Sequence, residues 1–187
     1  MTGRFPLDEV VILTPIYPPA TGGAAVYYPV LAQALRDQHI AARVTVLTEA
    51  YPGAPRQRIS PDGRLQVQRW LPYRAGSPTA RRDRHLRYAL ANLLYGHLLV
   101  RRWPRCSALI VHASLHIYPG TLARVLSALR WRPHRPRLIA DLRDPRLPLR
   151  RQAALHAYDA VITCGAAVTQ HLTHPAIAPK CREIPIP

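Results

Sequence analysis

Residues 9–49, EVVILTPIYPPATGGAAVYYPVLAQALRDQHIAARVTVLTE, decide the fold. Glu9 to Thr14 is a nearly continuous apolar run, as expected of a strand buried on both faces, and it ends in the turn-rich segment Pro15 to Gly23. From Ala24, the apolar residues Val26, Val30, Leu31, Ala34 and Leu35 recur at helical spacing until Asp37 and Gln38. Arg43 to Thr48 then gives a second β-rich run. Strand, loop, helix and strand in that order make a parallel crossover, with the loop at the carboxyl end of the first strand.

The rest of the chain repeats the alternation. Tyr51 to Gly63, rich in Pro, Gly and Arg, reads as a surface excursion before a short β-like segment, Leu65 to Trp70. Arg81 to Arg102 carries Leu86, Leu90, Leu93, Leu94 and Leu98 on one helical stripe, an amphipathic helix with arginines at both ends. Ser107 to His112, Arg137 to Asp141, Asp159 to Cys164 and Arg182 to Ile186 are further β-like runs. Helical patterns at Leu122 to Leu129, Leu149 to Tyr158 and Ala166 to Leu172 separate them. The expectation is an α/β protein with a doubly wound, mostly parallel, Rossmann-like sheet, whose ligands bind outside the carboxyl ends of the strands. A length of 187 residues suits one domain covering residues 1–187.

Composition narrows the function classes. Twenty-five arginines and the single Lys180 stand against ten acidic residues, for a formal charge of +16. No acidic residue lies between Arg84 and Asp141, which implies an anionic surface or ligand, or else a solvated basic face. Cys106, Cys164 and Cys181 are too widely spaced for a Cys-x-x-Cys site and read as reduced thiols. The longest apolar stretch, Tyr88 to Val100, is interrupted by Asn92 and His97 and is too short to cross a bilayer. With Asp8 and Glu9 before the first strand there is no secretory signal, so a cytoplasmic location is expected, with peripheral contact on the inner face of the cell membrane left open.

The loop Pro15 to Gly23 is the first candidate site. Gly22 and Gly23 leave the amides at the helix start open to a phosphate, with Thr21 and Tyr17 beside them. The pattern is not the Gly-x-Gly-x-x-Gly dinucleotide fingerprint, and only Glu49 could serve as a ribose ligand after the second strand, so a nicotinamide cofactor is disfavoured. Asp141, followed by Arg143 and Asp144, ends the strand that starts at Arg137. A carboxylate there either touches a substrate hydroxyl, as general base or as positioning group, or pairs with Arg143 or Arg146. His112 ends its own strand and would line the same cleft. His112 and His116 have no third ligand nearby, so no metal is expected, and His171 with His174 suits a helix end. Arg81, Arg82, Arg84 and Arg87 with Tyr73, Arg74 and the leucine stripe offer a membrane or lipid-linked-acceptor face, unless the leucines pack onto the sheet.

Taken in order, these segments resemble the amino-terminal domain of glycosyltransferase family 4, members of the two-domain GT-B class. The likeness rests on Val10 to Tyr17 with Pro18, Pro19, Gly22 and Gly23, then Leu31, Ala32, Ala34 and Leu35, then Val44 to Thr48. Ser107 to His112, Leu138 to Pro145, Tyr158 to Cys164 and Glu183 to Pro187 follow in the family's order. The resemblance implies an acceptor-binding domain whose glycine loop, Gly22 and Gly23, approaches the donor phosphates. Where many members carry a histidine, this chain has Asp141. Family members complete the site with a second domain that binds the nucleotide sugar and carries a spaced pair of glutamates. Glu9, Glu49 and Glu183 are the only glutamates here and form no such pair, so the donor domain is expected to be absent and the chain not competent alone. The implied reaction moves a sugar from a nucleotide-sugar donor to a glycan or lipid-linked acceptor in cell-surface polysaccharide or glycolipid synthesis. No cofactor is implied beyond that co-substrate, and a separate donor-domain subunit is an implied partner. A non-catalytic glycan- or membrane-binding module and, less favoured, a basic nucleic-acid binder are the alternatives; no stacking motif or recognition helix supports the latter.

Overall fold

In a computed structural model the described residues are 7–71, 81–114, 117–129, 135–143, 152–172 and 177–183; for residues 71 and 81–88 only the backbone is described. Eight strands form one sheet: β1 (Leu7–Leu13), β2 (Ala41–Glu49), β3 (Gln57–Ile59), β4 (Leu65–Leu71), β5 (Ala108–His112), β6 (Arg137–Leu142), β7 (Ala160–Thr163) and β8 (Cys181–Glu183). Their spatial order is β3-β4-β2-β1-β5-β6-β7-β8, all neighbours parallel except the short antiparallel pair β3 and β4. Among the described residues four α-helices accompany them: α1 (Gly23–Asp37), α2 (Arg81–Arg102), α3 (Tyr118–Leu129) and the short α4 (Ala166–Gln170). The expected doubly wound sheet is therefore present. β3, inside the segment read as a surface excursion, is the one added strand.

The alternation of each strand divides the core into two layers. Val10, Ile12, Val44, Val46 and Val67 face α1, where Tyr28 and Ala32 cover them. Val11, Leu13, Leu47, Leu109, Val111 and Leu138 face the other way and meet Tyr95 and Leu99 of α2, Trp103 just past its end, and Ala123 of α3. Strands buried on both faces need continuous apolar runs, which is why β1, β2 and β5 were legible. α2 approaches α3 at Gly96, where an added Cβ would meet Leu122 Cδ2 at 2.6 Å. That contact requires a residue without a side chain.

Two helical faces correct the sequence reading. On α1 the buried residues are Ala25, Tyr28 and Ala32, whereas Val26 and Val30 are exposed. On α2, Leu90, Leu93 and Leu94 are exposed, while Ala91, Asn92, Tyr95, Leu99 and Val100 are buried. Leu90, Leu93 and Leu94 of the stripe therefore do not pack onto the sheet, whereas Leu98 packs against the core, and the Leu86 side chain lies outside the described residues. Tyr95 and Trp103 fill the space under α2 because a large ring spans the gap to a twisted sheet better than leucine does. Among the described residues no helix is long and apolar enough to cross a membrane.

The chain leaves β1 through α1 to β2 on one side and returns through α2 to β5 on the other. That reversal puts a topological switch point between the carboxyl ends of β1 and β5. In an open parallel sheet the two loops there diverge, and a crevice opens between them.

Candidate functional site

At the switch point three strand ends converge with the start of α1. Thr14, just after β1, lies 3.1 Å from His112 Nδ1 at the end of β5. The ladder register sets His112 beside Asp141 of β6, and the backbone amide of Ala113 donates to the Asp141 carbonyl at 2.9 Å. The His112 ring leans on Tyr28 of α1 with centroids 5.1 Å apart. Burial, with the neighbouring Arg143 charge, pushes the His112 pKa down to about 4, so the imidazole is neutral at ordinary pH.

Asp141 has no exposed surface. Its carboxylate faces Arg143, with Nε 2.7 Å from Oδ1 and Nη2 donating to Oδ2 at 3.1 Å. Burial raises the carboxyl pKa above its ordinary value, while Arg143 and the Tyr28 hydroxyl act to lower it. The Tyr28 hydroxyl is buried close by without an aligned hydrogen-bond partner. Burial, reinforced by Asp141, pushes that phenol well up, so it stays protonated. Arg143 also lies over the Tyr27 ring, 3.4 Å from its centroid, and its amide donates to Ser114 Oγ at 2.7 Å. Its Nη1 is buried with no hydrogen-bond partner among the described residues. The result is a guanidinium clamped between a carboxylate below and an aromatic ring on α1.

The glycine loop stands in front of this cluster. Thr14 holds its start through an amide from Ile16 at 3.3 Å, and the Ala25 amide donates to Gly22 O at 3.0 Å as α1 begins. Gly22 has φ +110°, a conformation L side chains rarely adopt, and nothing lies within 4 Å of a Cβ placed on Gly22 or Gly23. Thr21, Gly22 and Gly23 are all exposed. The start of α1 is thus open to a ligand, as an anion at a helix N-terminus requires.

The residues singled out from sequence fall into three groups. His112, Asp141 and Arg143 meet, and Gly22, Gly23 and Thr21 border them at the start of α1. Tyr17 goes elsewhere: it is buried under the loop, and its charged neighbours are Arg69 and Arg58. Asp144, His116 and His174 lie outside the described residues, as do the side chains of Arg81, Arg82, Arg84 and Arg87. Among the described residues no cluster of three His, Cys, Asp or Glu side chains could hold a metal. Sequence reasoning missed Thr14, Tyr27, Tyr28 and Ser114. The Tyr27-Tyr28 pair directly after Gly-Gly-Ala-Ala-Val was the available signal, since two large rings in the first turns of a helix must cover something.

The coordinates resemble those of sucrose-phosphate synthase from Thermosynechococcus elongatus, with a TM-score of 0.62 over 95% of this chain at 16% sequence identity. The match spans 48% of that protein's chain. At this identity the likeness is one of fold alone, and it agrees with the Rossmann-like α/β domain expected from sequence. No family model and no curated protein matches the sequence.

Proposed function

We propose that this domain forms the acceptor side of a family 4-like glycosyltransferase, taking a sugar from a nucleotide-sugar donor onto a glycan or lipid-linked acceptor of the cell surface. The single observation that carries the reading is the open glycine loop beside the clamped Arg143, both at the switch point of a GT-B-type sheet. A donor diphosphate needs backbone amides and a fixed cation at the developing negative charge. Gly22 and Gly23 supply the first, and in this reading the second comes with the donor-binding half, while Arg143, paired with Asp141 and with Nη1 buried, fixes the crevice wall behind the loop. Asp141 positions Arg143 rather than acting as general base, because a carboxylate with no exposed surface and a bound guanidinium cannot reach a sugar hydroxyl. His112, neutral and hydrogen-bonded to Thr14, orients the crevice wall. The donor-binding half, in this reading, comes from outside these 187 residues, as further chain or as a separate subunit.

The test is transfer of radiolabelled sugar from nucleotide sugars to glycolipid and glycan extracts, with the chain combined with a GT-B donor domain encoded beside it. Incorporation lost in Gly23→Tyr, which blocks the loop without touching Asp141, supports the reading. Glycan binding with no incorporation in any combination makes the domain a binding module instead.

Membrane contact belongs to the same proposal and draws on α2. Leu90, Leu93 and Leu94 are exposed on a helix whose described end carries Arg101 and Arg102, and no acid lies in residues 85–140. Exposed leucines between basic ends suit an anionic bilayer surface. Sedimentation with phosphatidylglycerol vesicles but not phosphatidylcholine vesicles, lost in Leu90→Ser/Leu93→Ser/Leu94→Ser, is the expected result.

A further inference from the structure

The loop that carries Gly22 and Gly23 has few ties to the rest of the protein. Pro15, Pro18 and Pro19 have no amide hydrogen to donate, and within the loop the Ala20 amide donates to Tyr17 O at 3.1 Å to close a turn. Thr14 holds the start: its amide donates to Leu47 O at 3.0 Å, and its hydroxyl lies 3.1 Å from His112 Nδ1. From Tyr17 to Thr21, among the described residues, one hydrogen bond arrives from elsewhere in the chain. Arg69 Nη2 donates to Pro18 O at 2.7 Å.

Arg69 reaches that carbonyl from β4. Strand alternation turns Val67 and Arg69 toward α1 and Gln68 toward α2, where Arg102 meets it. The guanidinium is 8% exposed, with the buried Tyr17 phenol as an electrostatic neighbour, and its other arm, Nη1, donates to Pro55 O at 3.1 Å. Pro55 stands two residues before β3, and the Arg69 amide holds the residue between them, donating to Arg56 O at 2.8 Å. One side chain thus spans the glycine loop and the segment leading into β3, from a backbone fixed in the sheet. Taking a charge out of water onto two carbonyls is costly, and a methionine of similar volume would fill the space without that cost. What methionine lacks is the fork, two nitrogens in one plane with each aimed at a different loop.

We propose that Arg69 is a positioning residue for the glycine loop: its guanidinium pins Pro18 to the edge of the sheet and so holds the Gly22 and Gly23 amides where the phosphates of a ligand meet them. It touches no ligand and acts through the Pro18 carbonyl. The turn from Tyr17 to Ala20, followed by Thr21, is all that separates the pinned carbonyl from Gly22. β3 and the segment before it then brace the loop from outside. As a statement about the donor this rests on the transferase reading, whereas as a statement about loop conformation it stands alone.

Arg69→Met and Arg69→Lys test it in the full chain. With the fork gone, exchange of the Ala20 amide, followed by nuclear magnetic resonance, speeds about tenfold in both variants, while the amides of β5 keep their wild-type rates. Trp70→Ala, at the next position but 56% exposed and off the α1 face, leaves Ala20 unchanged. In the enzyme reconstituted with a donor domain, a loop that keeps its held shape about a tenth of the time raises the donor KM about tenfold with kcat within about twofold, because the amides bind the donor before and during transfer alike. Wild-type exchange at Ala20 in Arg69→Met, full restoration of that exchange by Arg69→Lys, equal acceleration in Trp70→Ala, or acceleration that extends through β5 overturns the proposal. A loosened Ala20 amide with no transfer by the wild-type enzyme in any combination sinks the transferase reading alone. Transfer with the donor KM unchanged in both Arg69 variants sinks the positioning role alone.

Discussion

Two arginines sit at the same end of the sheet and are treated in opposite ways. Arg143, at the centre, has a buried carboxylate beside its Nε and Nη2 and a tyrosine ring across its plane. Arg69, toward the edge, has two carbonyls and, among the described residues, no carboxylate. The first arrangement compensates charge within the protein and so becomes part of the scaffold that shapes the crevice. The second leaves the guanidinium with backbone carbonyls as its partners among the described residues.

The largest effect expected from breaking this contrast is at Asp141. Asp141→Ala strands Arg143 as a half-buried unpaired charge and costs about 3 to 5 kcal/mol in urea unfolding, and Asp141→Asn/Arg143→Met recovers most of it. A loss under about 1 kcal/mol would show that the central pair is not structural.

Next in size is the pH dependence that His112 imposes on the same centre. Its folded pKa, about 4, lies below the unfolded value of 6.5. Above pH 6.5 both states hold it neutral and it contributes no slope. As the pH falls from 6.5 toward 4 the unfolded chain takes up a proton that the native state refuses, so native stability drops by about 3 kcal/mol and then levels off. The raised pKa of Asp141 acts in the opposite sense just above its ordinary range, since there the native state holds the proton more tightly. Comparison with His112→Gln isolates the histidine part. A wild-type profile that matches the variant between pH 6.5 and 4 refutes it.

The loop in front of Arg143 should be sensitive at one glycine and tolerant at its neighbour. Gly22→Ala, at φ +110°, costs about 1 to 2 kcal/mol in thermal or urea melts. Gly23→Ala, in open space at the first position of α1, changes stability by about 0.5 kcal/mol or stabilises it. Equal costs at both positions would mean that backbone strain does not set the loop.

Smallest is Arg56→Ala, just before β3. The side chain is exposed and unpaired among the described residues, so stability stays within about 0.5 kcal/mol. Set against the loss at Asp141, removal of one charge then separates a paired buried group from a solvated one.

The apolar runs of β1, β2, β5 and β6 and the crossover through α1 could be read directly, because strands buried on both faces leave no freedom to place polar residues. His112, Asp141 and Arg143 were legible as candidates because each falls at or just past a strand end, where a parallel sheet gathers its ligands. The helical faces were not. Val26, Val30, Leu90, Leu93 and Leu94 obey helical spacing yet face outward, because a 3.6-residue period marks a stripe without saying which side the sheet lies on. Tyr28 and Tyr95 took the inward positions instead.

The sequence by itself determined the order of strands and helices, the glycine loop at the end of β1 and the excess of arginine, since these depend only on local periodicity and composition. The Asp141–Arg143 pair was already one of the sequence's alternatives, whereas the surroundings of Arg69 were decided by tertiary structure alone. Asp141 and Arg143 are two residues apart on one strand end and close on each other, whereas Arg69 is carried by β4 to face Pro18, fifty-one positions away in the chain, where its described partners are carbonyls. A charge paired within two residues can be read from sequence, whereas the partners of one carried across the sheet follow from strand register and long-range contacts.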